Sequence, residues 1–131
     1  MVAETHILPL DAFNVIDEQQ LFLRSDFNLI DLQNMLETDF ISLTTSIHYH
    51  FDSTFLDYIK QKRVTYVKRK ILDGTLKSTD DISRLIGDGK SFSNDYARMY
   101  GTTPEELFES QNRLIELKEL LKAYEYDVSA L

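Results

Sequence analysis

The sequence predicts an all-α protein. Apolar residues recur at steps of three and four almost throughout, the periodicity of helices with one buried face. Glycine (4) and proline (2) are scarce, which argues against a turn-rich β fold and against a disordered chain. Two segments carry strong helix-start chemistry: Asn28 with Asp31 three residues on, and Thr103-Pro104-Glu105-Glu106.

Residues 1–10 read as a tail, with Pro9 blocking an early helix. A short helix is expected over 12–24, with Phe13, Ile16 and Leu23 on its apolar side. The next helix starts after Asn28 and presents Leu29, Leu32 and Leu36. Asp39 caps a further helix whose stripe is Phe40, Leu43, Ile47 and Phe51, and Asp52-Ser53 ends it. A long helix spans 55–72, with Phe55, Tyr58, Ile59, Tyr66, Val67 and Ile71 toward one side and Gly74 as terminator. Ser78 or Thr79 caps a short helix carrying Ile82, Leu85 and Ile86. Gly87 and Gly89 make a turn, and a second short helix carries Phe92, Tyr96 and Met99. The last helix begins at Pro104 and runs to about Tyr124. Its Leu107, Leu114, Leu117, Leu121 and Tyr124 fall on heptad a and d positions for under three heptads. The recurring unit is therefore short helix, tight turn, short helix, at 29–51 and again at 79–100, joined by the long helix.

Composition narrows the function. The 131 residues hold no cysteine, which removes disulfides, thiolate metal sites and cysteine nucleophiles. No apolar run reaches membrane-spanning length and no signal-like start is present, so a cytoplasmic protein without membrane contact is expected. No phosphate-binding glycine loop or nucleophile motif occurs, and the many carboxylates scatter along polar helix faces; an enzyme is not expected, nor a cofactor. His48 and His50, two apart on a helix, point in different directions and do not chelate as an i, i+4 pair would, so no metal site is expected.

The net charge is −8, unfavourable for nucleic acid at first sight, but it is unevenly spread. Residues 1–50 hold one basic and eight acidic residues, 51–101 ten basic and seven acidic, and 102–131 three basic and seven acidic. Lys60, Lys62, Arg63, Lys68, Arg69 and Lys70 lie within eleven residues. That cluster fits a solvated helix face or a backbone-phosphate footprint.

Two helix-turn-helix units bridged by one helix resemble the DNA-binding domain of the AraC/XylS family of bacterial transcription regulators. The resemblance covers roughly residues 26–108, between an N-terminal tail and short helix (1–25) and an acidic helical extension (109–131). Leu32 matches the family's scaffold-helix Leu, and Asp39 stands where a capping Ser is usual. Leu43 and Ile47 follow at the family's apolar positions, and Asp52 replaces the terminating Gly. Tyr58 and Arg63 match a Tyr and Arg of the linker helix. In the second unit Ile82-Ser83, Gly87, Phe92 with Tyr96, and Gly101-Thr102-Thr103-Pro104 follow the pattern. Departures are Gln33 for a small Ala, Asp88 for an apolar turn residue, Phe108 for an Arg, and a stretch from Gly87 to Phe92 two residues short.

The resemblance implies that the second helix of each unit enters a major groove of double-stranded DNA, the two about one helical turn or roughly 34 Å apart. The first unit's outward face is then Ile41, Ser42, Thr44 and Thr45, with Ile41, Thr44 and Thr45 base-facing. The second unit's residues are Lys90, Ser93 and Asn94, Asn suiting adenine and Lys suiting guanine or phosphate. Lys60, Lys62, Lys68, Lys90 and Arg98 are the candidate phosphate contacts. The alternative is a degenerate helix-turn-helix protein–protein interaction module without DNA binding. The apolar stripe of the last helix is either core or a seam for a homodimer or a partner protein.

Overall fold

The computed structural model describes residues 5–87 and 89–129. Residues 1–4 of the tail, Asp88 of the second turn and residues 130–131 of the extension lie outside the described residues. Among the described residues the regular elements are all helical: α1 (Asn14–Glu18), α2 (Leu29–Met35), α3 (Phe40–Phe51), α4 (Phe55–Leu72), α5 (Thr79–Ile86), α6 (Gly89–Tyr100) and α7 (Pro104–Ser129). Tight 3-10 turns at Leu10–Phe13 and Leu21–Leu23 flank α1.

Start chemistry sets most of these bounds. The Asn28 side chain accepts from the Asp31 N–H while the Asp31 carboxylate accepts from the Asn28 N–H, a reciprocal box that satisfies two otherwise unpaired donors. Asp39, Thr54, Ser78 and Thr103 each accept from the N–H three residues on, at the heads of α3, α4, α5 and α7. Ser78, not Thr79, is the cap of α5. Asp52 ends α3 in the left-handed region at φ 50°, as an Asp at that position permits, and Gly87 ends α5 at φ 89°.

Two apolar clusters share α4. The first gathers Leu32, Leu43, Ile47, Tyr58 and Ile59; the second gathers Val64, Val67, Ile71, Ile82, Ile86, Phe92 and Tyr96. Tyr66 packs against both. One helix thus forms the floor of two small cores, its N-terminal half serving one and its C-terminal half the other.

The N-terminal region departs from expectation. Residues 12–24 do not form one helix. A turn at Gln20, at φ 51°, divides them, and Phe13, Ile16, Leu21 and Phe22 all enter the first core. Leu21 and Phe22 are neighbours, and a continuous helix would send them 100° apart, so both reach the core only if the chain bends. Acidic Asp17 and Glu18 at the helix end, where the dipole disfavours negative charge, also favour a break. The segment read as a tail is laid along α3: the His6 and Leu8 N–H groups donate to the hydroxyls of Ser42 (3.1 Å) and Ser46 (2.8 Å).

Three smaller corrections follow the same logic. Phe40 and Met99, expected in the stripes of α3 and α6, are exposed, because periodicity gives the side of a helix but not how far a neighbour extends along it. Tyr100 instead packs on the second core. α7 continues past Tyr124 to Ser129. Leu107 and Phe108 near its start pack against the second core, while Leu114, Leu117, Leu121 and Tyr124 are exposed.

Candidate nucleic-acid interface

α3 is held on three sides. Leu43 and Ile47 are buried against the first core. Ser42 and Ser46 are buried beneath the N-terminal segment. The His50 ring nitrogen hydrogen-bonds the Leu8 carbonyl at 2.6 Å and the ring meets Phe13 edge-on. Ser42, expected on the outward face, is therefore an interior residue: its hydroxyl donates to Asp39 Oδ2 at 3.0 Å and accepts from His6. The Ser46 hydroxyl donates to the Ser42 carbonyl at 2.6 Å.

What remains outward is an i, i+3, i+4, i+7 ridge of Ile41, Thr44, Thr45 and His48, flanked by Phe40 and Tyr49. Ile41 is 62% and Tyr49 71% exposed. Thr44 is half-buried, and its hydroxyl donates to the carbonyls of Phe40 (2.9 Å) and Ile41 (3.2 Å), so its hydrogen is committed to the helix. It borders an apolar groove of about 370 Å³ shared with Leu29, His48, Phe55 and Leu56. The structure thus keeps Ile41, Thr44 and Thr45 on one ridge and adds His48, Tyr49 and Phe40, which sequence reasoning left out. Phe40 was hidden by its fit to the core stripe; the exposure of Tyr49 follows from its place one residue off the buried seam.

The second unit gathers its candidates differently. Lys90, Ser93 and Asn94 of α6 line one groove of about 360 Å³ with Thr79 and Ser83 of α5 and Glu105 of α7. Lys90 and Asn94 are exposed and Ser93 is half-buried. Glu105 places a carboxylate on the rim of this otherwise cationic and hydroxyl-lined groove.

Most of the basic run is turned to internal uses. Lys62 bridges to Asp17 at 2.8 Å and lies 5.0 Å from the centre of the Tyr58 ring. Burial pulls the Lys62 ammonium down, but hydrogen bonds to Asp17 and Tyr58 outweigh it and hold the group above its ordinary value. Lys60 and Arg98 converge on Asp95, at 3.7 and 3.9 Å, joining α4 to α6. Lys68 sits 3.9 Å over the Tyr100 ring. The Arg63 guanidinium donates to the carbonyls of Phe22 and Arg24, pinning the N-terminal region onto α4, and burial lowers its pKa. Of the five candidate phosphate contacts, Lys60, Lys62, Lys68 and Arg98 have intramolecular partners, and Lys90 is exposed on the candidate face.

Among the described residues no group of three or more His, Cys, Asp or Glu side chains converges to hold a metal ion. No described helix is long and apolar enough to cross a membrane.

No family model matches the chain, and no curated protein sequence matches it significantly. Among solved structures, the chain is similar to the C-terminal domain of the two-component response regulator yesN from Fusobacterium nucleatum subsp. nucleatum ATCC 25586. The identity is 26% and the TM-score 0.63, over 74% of this chain and 93% of that domain. The shared architecture is that of a regulator domain, not of an enzyme.

Proposed function

We propose that this chain is a sequence-specific, double-stranded-DNA-binding transcription regulator of AraC type, with α3 and α6 placed in successive major grooves and residues 26–108 as the reading body. The observation that carries the proposal is two capped helix-turn-helix units built on the opposite halves of one linker helix, in an architecture shared with a response-regulator domain. In this reading Ile41, Thr44 and Thr45 face bases from the first unit, and Lys90, Ser93 and Asn94 from the second.

The electrostatics give the binding its form. Most of the candidate cations are tied to internal partners and the flanks are acidic, so non-specific affinity is weak. The salt dependence is shallow, equivalent to no more than about three to five phosphate contacts. The test is an anisotropy titration against a selected duplex pool at low and moderate salt. Thr45→Ala, which removes one methyl and one hydroxyl, lowers specific affinity by roughly 1 kcal/mol, Thr44→Ala by less, and Asn94→Ala by less than Thr45→Ala because the second turn is short. Absence of any enriched duplex and of binding at low salt would refute DNA reading.

A second reading is supported by α7. It exposes Leu114, Leu117, Leu121 and Tyr124 on one side beyond the point where it leaves the second core. We propose that this stripe is a seam for a homodimer or a partner protein, compatible with DNA binding and also able to serve a module without it. Because these side chains are exposed, changing Leu114 and Leu121 together to Lys leaves a folded protein, with stability altered by less than about 0.5 kcal/mol. The expected change in sedimentation is loss of any dimer; unfolding of the variant would show that the stripe is core.

A further inference from the structure

The two outward helices carry opposite chemistry, and for α3 this restricts which base can be read. None of the twelve residues of α3, Phe40–Phe51, is Lys, Arg, Asn, Gln, Asp or Glu. The bidentate pairings that select guanine need Arg or Lys, and those that select adenine need Asn or Gln; acceptance from cytosine needs a carboxylate. α3 supplies none of these. Of its five hydroxyls, those of Ser42 and Ser46 are buried and hydrogen-bonded, while those of Thr45 and Tyr49 belong to exposed residues. A lone hydroxyl both donates and accepts and so does not by itself select one base. The Thr44 hydroxyl hydrogen is committed to two backbone carbonyls. Beside the exposed His48 ring, what the ridge offers in quantity is methyl groups, from Ile41, Thr44 and Thr45, with Ile41 62% exposed.

Among the four bases, thymine alone presents a methyl group in the major groove, at C5. We infer that the first unit reads thymine by methyl contact, with Ile41 as the specificity-determining residue and Thr45 beside it. The purine-reading hydrogen bonds then fall to the second unit, where Lys90 and Asn94 stand exposed. The site is thus chemically asymmetric. Its first half is specified by thymine methyls and little changed by altering hydrogen-bonding edges; its second half is specified by purine edges. This rests on the proposal that α3 enters a major groove.

The experiment uses the full chain and a duplex enriched from a random pool by that chain. Each thymine is replaced in turn by deoxyuridine, which removes the C5 methyl and leaves every hydrogen-bonding group in place. Removal of one buried methyl weakens binding roughly three- to five-fold. The expected result is at least one thymine with a loss of that size. In Ile41→Ala the same replacement has no further effect, whereas in Asn94→Ala it keeps its full effect. Because Ile41 is exposed, the variant folds, and an unchanged helical circular dichroism spectrum checks this. Equal binding of thymine and deoxyuridine duplexes at every position would overturn the inference while leaving DNA reading intact. So would a deoxyuridine effect that persists unchanged in both Ile41→Ala and Thr45→Ala. A pool from which no duplex is enriched would overturn DNA reading itself.

Discussion

The first and second helix-turn-helix units share an architecture and differ in nearly everything laid over it. The first is enclosed: a bent N-terminal segment adds Phe13, Ile16, Leu21 and Phe22 to its core, and backbone donors from His6 and Leu8 cover two serines of α3. Its outward helix holds no Lys, Arg, Asp or Glu, and the helix is capped by a titratable carboxylate, Asp39. The second unit is built on Phe92 and Tyr96 with the start of α7 against it, and α6 carries Lys90, Asn94, Asp95 and Arg98. The scaffold fixes where a reading helix stands, while the side chains left over after packing fix what it can read. Two copies of one scaffold on one linker helix are thereby free to recognise different chemistry.

The largest test of this comparison concerns the cores. Leu43→Ala in the first should destabilise by about 2–5 kcal/mol and Phe92→Ala in the second by about 3–5 kcal/mol, both side chains being buried. Because α4 runs through both clusters and Tyr66 touches each, a single cooperative transition is expected in denaturant for either variant. Two separate transitions would show that the units are energetically independent. A Leu43→Ala effect below about 0.5 kcal/mol would place that residue at the surface.

Arg63→Lys sharpens the difference in how the units are enclosed. An ammonium does not reproduce the forked donation to the carbonyls of Phe22 and Arg24, so a loss of roughly 1–3 kcal/mol is expected. Amide exchange should quicken over residues 10–24 and stay unchanged in α6. Uniform exchange changes across both units would contradict the assignment of Arg63 to the first alone.

The smallest effect is acid sensitivity. Hydrogen bonds from the Ser42 N–H, and then from its hydroxyl, hold the Asp39 carboxyl below its ordinary value. A depressed carboxylate stabilises the fold above its unfolded value of about 3.9 and loses that contribution as pH falls through the lower folded value. Asp39→Asn retains a capping oxygen without a titrating group. Urea midpoints from pH 6 downward should therefore fall less steeply in Asp39→Asn than in the parent, whereas Ser78→Asn, at a cap that does not titrate, should leave the slope unchanged. Parallel slopes in parent and Asp39→Asn would remove the first-unit cap as an acid-labile element.

Much of this protein was settled by local chemistry that a linear chain displays. Helix starts at Asn28, Asp39, Ser78 and Thr103 depend on a side-chain oxygen three residues from an unpaired N–H, and stops at Asp52 and Gly87 on left-handed backbone geometry. The buried positions Leu32, Leu43, Ile47, Ile82, Phe92 and Tyr96 follow from helical spacing. Only the tertiary structure decided what depends on residues distant in the chain. Ser42 becomes interior because a segment some 36 residues earlier lies over it. Phe40 stays exposed because, among the described residues, no neighbour covers it. The cations of α4, which the sequence offers equally to solvent or to phosphate, meet Asp17, Asp95 and Tyr100 only once the chain has folded. Periodicity specifies the direction of a side chain from its own helix; its partner is fixed by how the helices pack, and that choice leaves α3 with methyl groups and α6 with charge.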